Sequence, residues 1–128
     1  MITIDITEAL DLLEAATEKY GRDNIYHSVD YNDCSYVRDA DEESQRYCIV
    51  GYALHEKGVP DAVLTNLGST MIRSSDVLNK LKDAGFEITE DAGRVLLVAQ
   101  RAQDRKAEWG EAEDEANRLA EKIFSGRA

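Results

Sequence analysis

Two cysteines and two histidines are the residues of this chain best suited to bind a metal or attack a substrate. Zinc sites usually carry cysteines at short paired spacings such as Cys-x-x-Cys, but Cys34 and Cys48 are fourteen positions apart. His55 follows Cys48 by seven residues, which on one helix is about 10 Å along the axis. Either cysteine could in principle share a metal with His27 or His55, but neither has a close cysteine partner. The sequence therefore predicts no metal site and no cofactor.

A cysteine nucleophile needs a neighbouring base and an electropositive setting. Cys48 is predicted at a helix start, where the dipole favours a thiolate, and His27 could approach it. The favoured alternative is a core cysteine, since this residue type is among the most buried. Paired carboxylates give no signal, because 26 acidic residues always offer pairs. The chain has no Gly-rich phosphate loop, His-Glu-x-x-His or Gly-x-Ser-x-Gly, so an enzyme with a cysteine or carboxylate site is only an alternative.

A run of tyrosines beside an acidic stretch is better suited to binding than to catalysis. Five of the six tyrosines fall between positions 26 and 52, and tyrosine is enriched at interfaces because its ring buries area while its hydroxyl stays polar. The competing interpretation is that these rings cover a small hydrophobic core. We take the segment as the candidate partner face. Its predicted binding residues are Tyr31, Tyr36, Tyr47, Tyr52, Asp39, Asp41, Glu42 and Glu43.

Helical periodicity dominates the elements that must position these side chains. Asp5 and Glu8 form a capping-box pattern, and Gly21 is a natural stop for the helix that follows. A glycine inside the second helix, Gly51, predicts close approach of a neighbouring backbone. The first two predicted helices cover residues 6–20 and 48–57, and a short helix restarts at Pro60 and stops at Gly68. The next helix is capped by Ser74 or Ser75 and ends at Gly85. A longer helix, capped by Thr89, covers residues 89–106, and a last helix follows Trp109-Gly110.

Alternating apolar and polar residues between positions 25 and 37 predict two strands, with turn chemistry at Tyr31-Asn32-Asp33. Two strands alone are marginally stable, so this hairpin must pack on helices. Residues 38–46 form a polar, acidic loop that we expect to be mobile. The predicted fold is α+β, mainly α, with about five helices packed against one small antiparallel hairpin in a single globular domain over residues 1–128.

Composition narrows the partners and the compartment. The 128 residues can bury a sizeable core, and the net charge of -11 repels phosphate backbones and anionic lipid. Direct nucleic-acid or membrane binding is therefore not expected. There is no apolar run near membrane-spanning length and no secretory signal at the N-terminus. We expect a cytosolic protein whose two cysteines are thiols.

Eleven of the 26 acidic residues fall into two clusters, at positions 30–43 and 108–115. The simplest interpretation of this charge is solubility. A sharper one is a surface that docks on a basic partner, including the special case of an acidic mimic that blocks a DNA-binding protein. Acidic loops and acidic helix starts are common in any case.

Several short motifs carry a family resemblance. Cys34-Ser35-Tyr36-Val37, the run from Cys48 to His55 and Gly58-Val59-Pro60 resemble a small-protein family of actinobacteria and their phages, as does Trp109-Gly110-Glu111-Ala112 in the tail. Family members often have histidine after the Val-Gly pair, where this chain has Tyr52. The resemblance implies a phage or prophage origin and a cytosolic host, and it carries over no functional residue.

Together these observations predict a phage-type protein that binds a host protein, as an adaptor or inhibitor, without chemistry of its own. The alternatives are an acidic nucleic-acid mimic and an enzyme with a cysteine or carboxylate site. The partner is expected to be basic, and self-association stays open.

Overall fold

A computed structural model describes residues 1–26, 36, 47–68 and 70–126. Helices dominate this part of the chain, as predicted, and a two-stranded sheet joins them. In chain order the elements are β1 (Ile2–Ile4), α1 (Ile6–Tyr20), α2 (Ile49–Lys57), α3 (Asp61–Leu67), α4 (Ser75–Asp83), β2 (Phe86–Ile88), α5 (Glu90–Asp104) and α6 (Trp109–Phe124).

The sheet corrects the predicted topology. Strands β1 and β2 run parallel, with Ile2 opposite Phe86 and Ile4 opposite Ile88, so an antiparallel hairpin is wrong for this sheet. The reason is that each strand leads directly into a helix, through the N-caps Asp5 and Thr89. A parallel pair also needs a long crossover connection, and the chain between β1 and β2, which includes α1 to α4, supplies it. Residues 27–35 and 37, most of the predicted hairpin, lie outside the described residues.

The helix count is also corrected. The short restart after Pro60 is a separate helix, so the described residues form six helices rather than five.

The bounds of α1 match the prediction, and Asp5 Oδ1 accepts a hydrogen bond of 2.9 Å from the Glu8 N–H. The other bond of a capping box, from the Glu8 side chain to the Asp5 N–H, is replaced by a contact with another helix. The Glu8 carboxylate contacts the Lys57 ammonium and so ties α1 to α2.

The core lies between α1, α2, α5 and α6, and α3 and α4 close one end of it. Helical periodicity predicts one inward leucine on each of α1, α2, α4, α5 and α6. Four of these five are completely buried, whereas Leu119 on α6 is only partly covered. The four buried leucines are Leu13, Leu54, Leu81 and Leu96.

The prediction of a close backbone approach at Gly51 is confirmed. A Cβ built there would lie 1.9 Å from the carbonyl oxygen of Tyr36. Only glycine lets the chain at Tyr36 rest directly on α2. Within the described residues, no helix has both the length and the apolar character needed to cross a membrane.

Candidate functional site: an aromatic cluster on α1 and α2

Four aromatic side chains meet where the end of α1 passes α2. The ring of Tyr52 contacts Tyr20 edge-on, with 5.5 Å between centroids, and Tyr47 at 6.0 Å. His55 stacks on Tyr47 at 4.6 Å. Tyr52 and His55 are three residues apart on α2 and therefore share one face. We call Tyr20, Tyr47, Tyr52 and His55 the aromatic cluster.

A carboxylate fixes the polar side of the aromatic cluster. The Tyr47 hydroxyl lies 2.9 Å from Asp61 Oδ1 and 3.1 Å from His55 Nδ1. A hydroxyl has one proton, so when it donates to Asp61, His55 must donate its own Nδ1–H to the hydroxyl oxygen. His55 lies in the last turn of α2 and Asp61 begins α3, so these hydrogen bonds also connect the end of one helix to the start of the next.

The members of the aromatic cluster differ in exposure. Tyr47 is buried and forms its floor, Tyr20 and Tyr52 are half-buried, and the His55 side chain is 44% exposed. Desolvation raises the pKa of the Tyr52 hydroxyl, and the nearby Glu56 carboxylate raises it further. The Tyr52 hydroxyl is therefore neutral at physiological pH and donates its proton to a hydrogen bond with the Glu56 carboxylate.

The structure brings together two of the eight predicted binding residues, Tyr47 and Tyr52. Tyr36 is completely buried instead: its hydroxyl donates to the Thr70 carbonyl at 2.5 Å and accepts from Gln100 Nε2 at 3.0 Å. Burial raises the pKa of Tyr36 well above its ordinary value. Tyr36 thus fits the alternative that the tyrosines cover a core. Tyr31, Asp39, Asp41, Glu42 and Glu43 lie outside the described residues.

Sequence reasoning missed three members of the site. The tyrosine run between positions 26 and 52 leaves out Tyr20, His55 is considered in the sequence only as a metal ligand, and Asp61 lies outside both acidic clusters. The i, i+3 spacing of Tyr52 and His55 was the available signal for a shared aromatic face. Nothing local in the sequence connects Tyr20 to them.

Cys48 corrects the expectation of free thiols. It is disulfide-bonded and completely buried, at the N-cap of α2, where its sulfur accepts a hydrogen bond of 3.3 Å from the Gly51 N–H. A buried disulfide sulfur is not a nucleophile, because it has no thiolate to offer. The only other cysteine, Cys34, lies outside the described residues. Among the described side chains, no group of three or more metal-ligating residues is close enough to hold an ion.

The C-terminal acidic cluster is largely used inside the molecule. Glu113 is buried and accepts hydrogen bonds from Thr17 Oγ1 at 2.9 Å and Arg22 at 3.0 Å. Arg22 also pairs with Asp114 at 2.8 Å, and Arg105 pairs with Glu115. Three of its five carboxylates therefore hold α6 to its surroundings rather than forming an open array.

Comparison with known proteins identifies no relative that could assign the site. No family model, no curated protein and no solved structure matches this chain. The function is therefore argued from the geometry of the aromatic cluster and the charges around it.

Proposed function

We propose that this protein acts by binding a host protein through the aromatic cluster, as an adaptor or inhibitor without chemistry of its own. The observation that carries the proposal is the preordered group of partly exposed rings formed by Tyr20, Tyr52 and His55 over the buried Tyr47. Tyrosine is among the residue types that most often dominate binding energy at interfaces. A phage or prophage origin in an actinobacterial host, with action in the host cytosol, is part of the same proposal.

Preorganisation makes this surface suited to binding. Ordering a flexible side chain at an interface costs roughly 0.5–1.5 kcal/mol. Here the edge-on contacts hold Tyr52, and the hydrogen bond to Tyr47 holds His55. A partner therefore meets rings that are already fixed, and more of the contact energy is retained as affinity.

The charges around the aromatic cluster favour a basic partner. Glu56 interacts with the Tyr52 hydroxyl, and Asp61 lies beside His55. The nearby Lys57 is paired with Glu8, which leaves the rim acidic. Carboxylates at the rim of an interface mainly speed the encounter with an oppositely charged protein and make it sensitive to salt.

The two alternatives gain less support. An enzyme with a cysteine site would need a thiolate, but Cys48 is buried in a disulfide. A nucleic-acid mimic needs carboxylates that point outward like phosphates, whereas Glu113 and Asp114 are bonded to Arg22. Action in the cytosol requires that the Cys48 disulfide be reduced there or protected, and its complete burial favours protection.

The test compares variants in affinity capture from lysate of an actinobacterial host. Tyr52→Ala and His55→Ala remove exposed parts of the aromatic cluster, and Phe124→Ala is the matched control because Phe124 is a large exposed ring at the far end of α6. We expect one stoichiometric partner for the wild type and for Phe124→Ala. Its affinity should fall at least tenfold in Tyr52→Ala, the loss expected for a central aromatic anchor.

Thermal melting of each variant ensures that only folded protein is compared. Raising the salt concentration should weaken capture if the partner is basic. Equal affinity for the partner in the wild type, Tyr52→Ala and His55→Ala would exclude the aromatic cluster as the binding surface.

A further inference from the structure

The outer edge of β2 presents backbone groups that the sheet does not use. The Ile2 N–H donates to the Gly85 carbonyl at 2.8 Å, and the Thr89 N–H donates to the Ile4 carbonyl at 3.1 Å. In a parallel pair, bonding residues alternate along each strand, so Glu87 turns its backbone groups toward β1. The backbone groups of Phe86 and Ile88 consequently point away from β1.

Within the described residues, the backbone of Phe86 and Ile88 makes no hydrogen bond beyond the sheet. An edge of this kind is a template for another strand. Helix α4 packs on β2, and a groove of about 140 Å³ runs between them. Its lining is formed by Leu78, Asn79, Lys82, Phe86, Glu87 and Ile88.

We propose that this edge and its groove, the β2 groove, bind an extended segment of a partner protein as a third strand. Main-chain hydrogen bonds would form with Phe86 and Ile88, as in other cases of strand addition. Cavities of about 150 Å³ hold a molecule the size of benzene, so the groove has room for one aliphatic side chain of the partner.

The charge of Glu87 indicates which type of residue the added strand should place opposite it. Glu87 is exposed and points to the face opposite Phe86, toward solvent. Across a strand pair, directly opposite side chains lie about 5 Å apart and opposite charges stabilise the pairing. Lys82 in the groove wall disfavours a second basic residue inside the groove. The matching segment is therefore apolar–basic–apolar.

A second copy of this chain fits the β2 groove poorly. If two β2 strands paired about a two-fold axis in full register, Glu87 of each copy would face Glu87 of the other, and like charges directly opposite are destabilising. Each copy also carries a net charge of -11. The groove shares no residue with the aromatic cluster, so this proposal does not depend on the proposed function.

The experiment titrates isotope-labelled protein with two blocked synthetic pentapeptides, TVKVT and TVEVT, and follows backbone amide shifts by NMR. TVKVT should give saturable shifts at Phe86 and Ile88 and bind about fivefold more tightly than TVEVT, the ratio that one opposite-charge pair of about 1 kcal/mol provides. TVKVT with its central amides N-methylated should lose binding, because it cannot complete the main-chain ladder.

Charge reversal makes the test specific. Glu87→Lys should invert the preference to TVEVT, whereas Glu90→Lys, the same charge change at an exposed position in the first turn of α5, should leave it unchanged. Absence of saturable shifts at Phe86 and Ile88 at millimolar TVKVT, or an unchanged preference in Glu87→Lys, would overturn the proposal. Sedimentation showing a wild-type dimer that Glu87→Lys disrupts would instead assign the edge to a second copy and overturn the proposed occupant.

Discussion

The side-chain oxygen of Gln103 accepts a hydrogen bond of 2.7 Å from the backbone N–H of Ile49, completely inside the core. Ile49 begins α2, where the first N–H groups have no partner within the helix. A residue on α5 therefore completes the start of the helix that carries Tyr52 and His55. Gln100, one turn earlier on α5, likewise uses its side-chain oxygen to accept a hydrogen bond of 2.9 Å from the backbone N–H of Ile72.

Replacing Gln103 with leucine should destabilise the fold by about 1–3 kcal/mol, because the buried Ile49 N–H would lose its acceptor. Chemical denaturation measures the change. Arg101→Leu, at an exposed position on the same helix, should alter stability by no more than about 0.5 kcal/mol. Equal stability of the two variants would mean that Ile49 finds another acceptor.

Two glycine-to-alanine changes should act in opposite directions. At Gly51 the new Cβ would meet the Tyr36 carbonyl oxygen at 1.9 Å, so α2 must shift and the cost should be about 1–3 kcal/mol or more. At Gly93 the nearest atom is Cγ of the exposed Arg73 side chain at 3.4 Å. Gly93→Ala should therefore stabilise α5 by about 0.5–1 kcal/mol. Denaturation midpoints of the pair test the signs, and a stable Gly51→Ala variant would contradict the close approach.

Purified protein unfolded in non-reducing buffer should show no titratable thiol, since no described cysteine is free. Adding reductant should expose thiols and lower the free energy of unfolding by about 2–4 kcal/mol. Cys48→Ser provides the control, because its stability should not respond to reductant. Two thiols detected before reduction would restore the original expectation.

The free energy of unfolding should fall with rising pH in alkali more steeply than it would without the Tyr36 hydroxyl. Burial raises the folded-state pKa of this hydroxyl, so its contribution is fully present below the ordinary tyrosine pKa of about 10. It is lost as the pH rises from there toward the folded-state pKa, by up to about 1.4 kcal/mol per pH unit. Tyr36→Phe should flatten this decline between about pH 10 and 11.5, and Tyr52→Phe should do so less, because Tyr52 is more exposed. Parallel pH profiles for the wild type and Tyr36→Phe would contradict the assignment.

Local signals explain what the sequence could predict. The bounds of α1 follow from the Asp5 cap and the stop at Gly21, both read within a few residues. The same holds for Ser74 and Thr89, whose side chains cap α4 and α5. Even the close approach at Gly51 has a local cause, a glycine where a helix prefers alanine.

Pairings between distant residues explain what the sequence could not predict. Strands of three residues give too little alternation to recognise, and Ile2 pairs with Phe86, 84 positions further on. Gln100 and Gln103 look like ordinary polar helix residues until the N–H groups of Ile72 and Ile49 are placed beside them. The contact of Tyr20 with Tyr52 likewise depends on how α1 crosses α2.

The pairing of β1 with β2 also orders events during translation. Strand β1 leaves the ribosome before its partner, which is made 84 positions later. At about 5–20 residues per second, the interval is roughly 4–17 s. During that time α1 can form from its own caps, whereas Ile2 and Ile4 have no strand to pair with. The apolar residues of β1 therefore stay unpaired in the nascent chain until β2 emerges, and this is the stage at which a chaperone would have the most to bind.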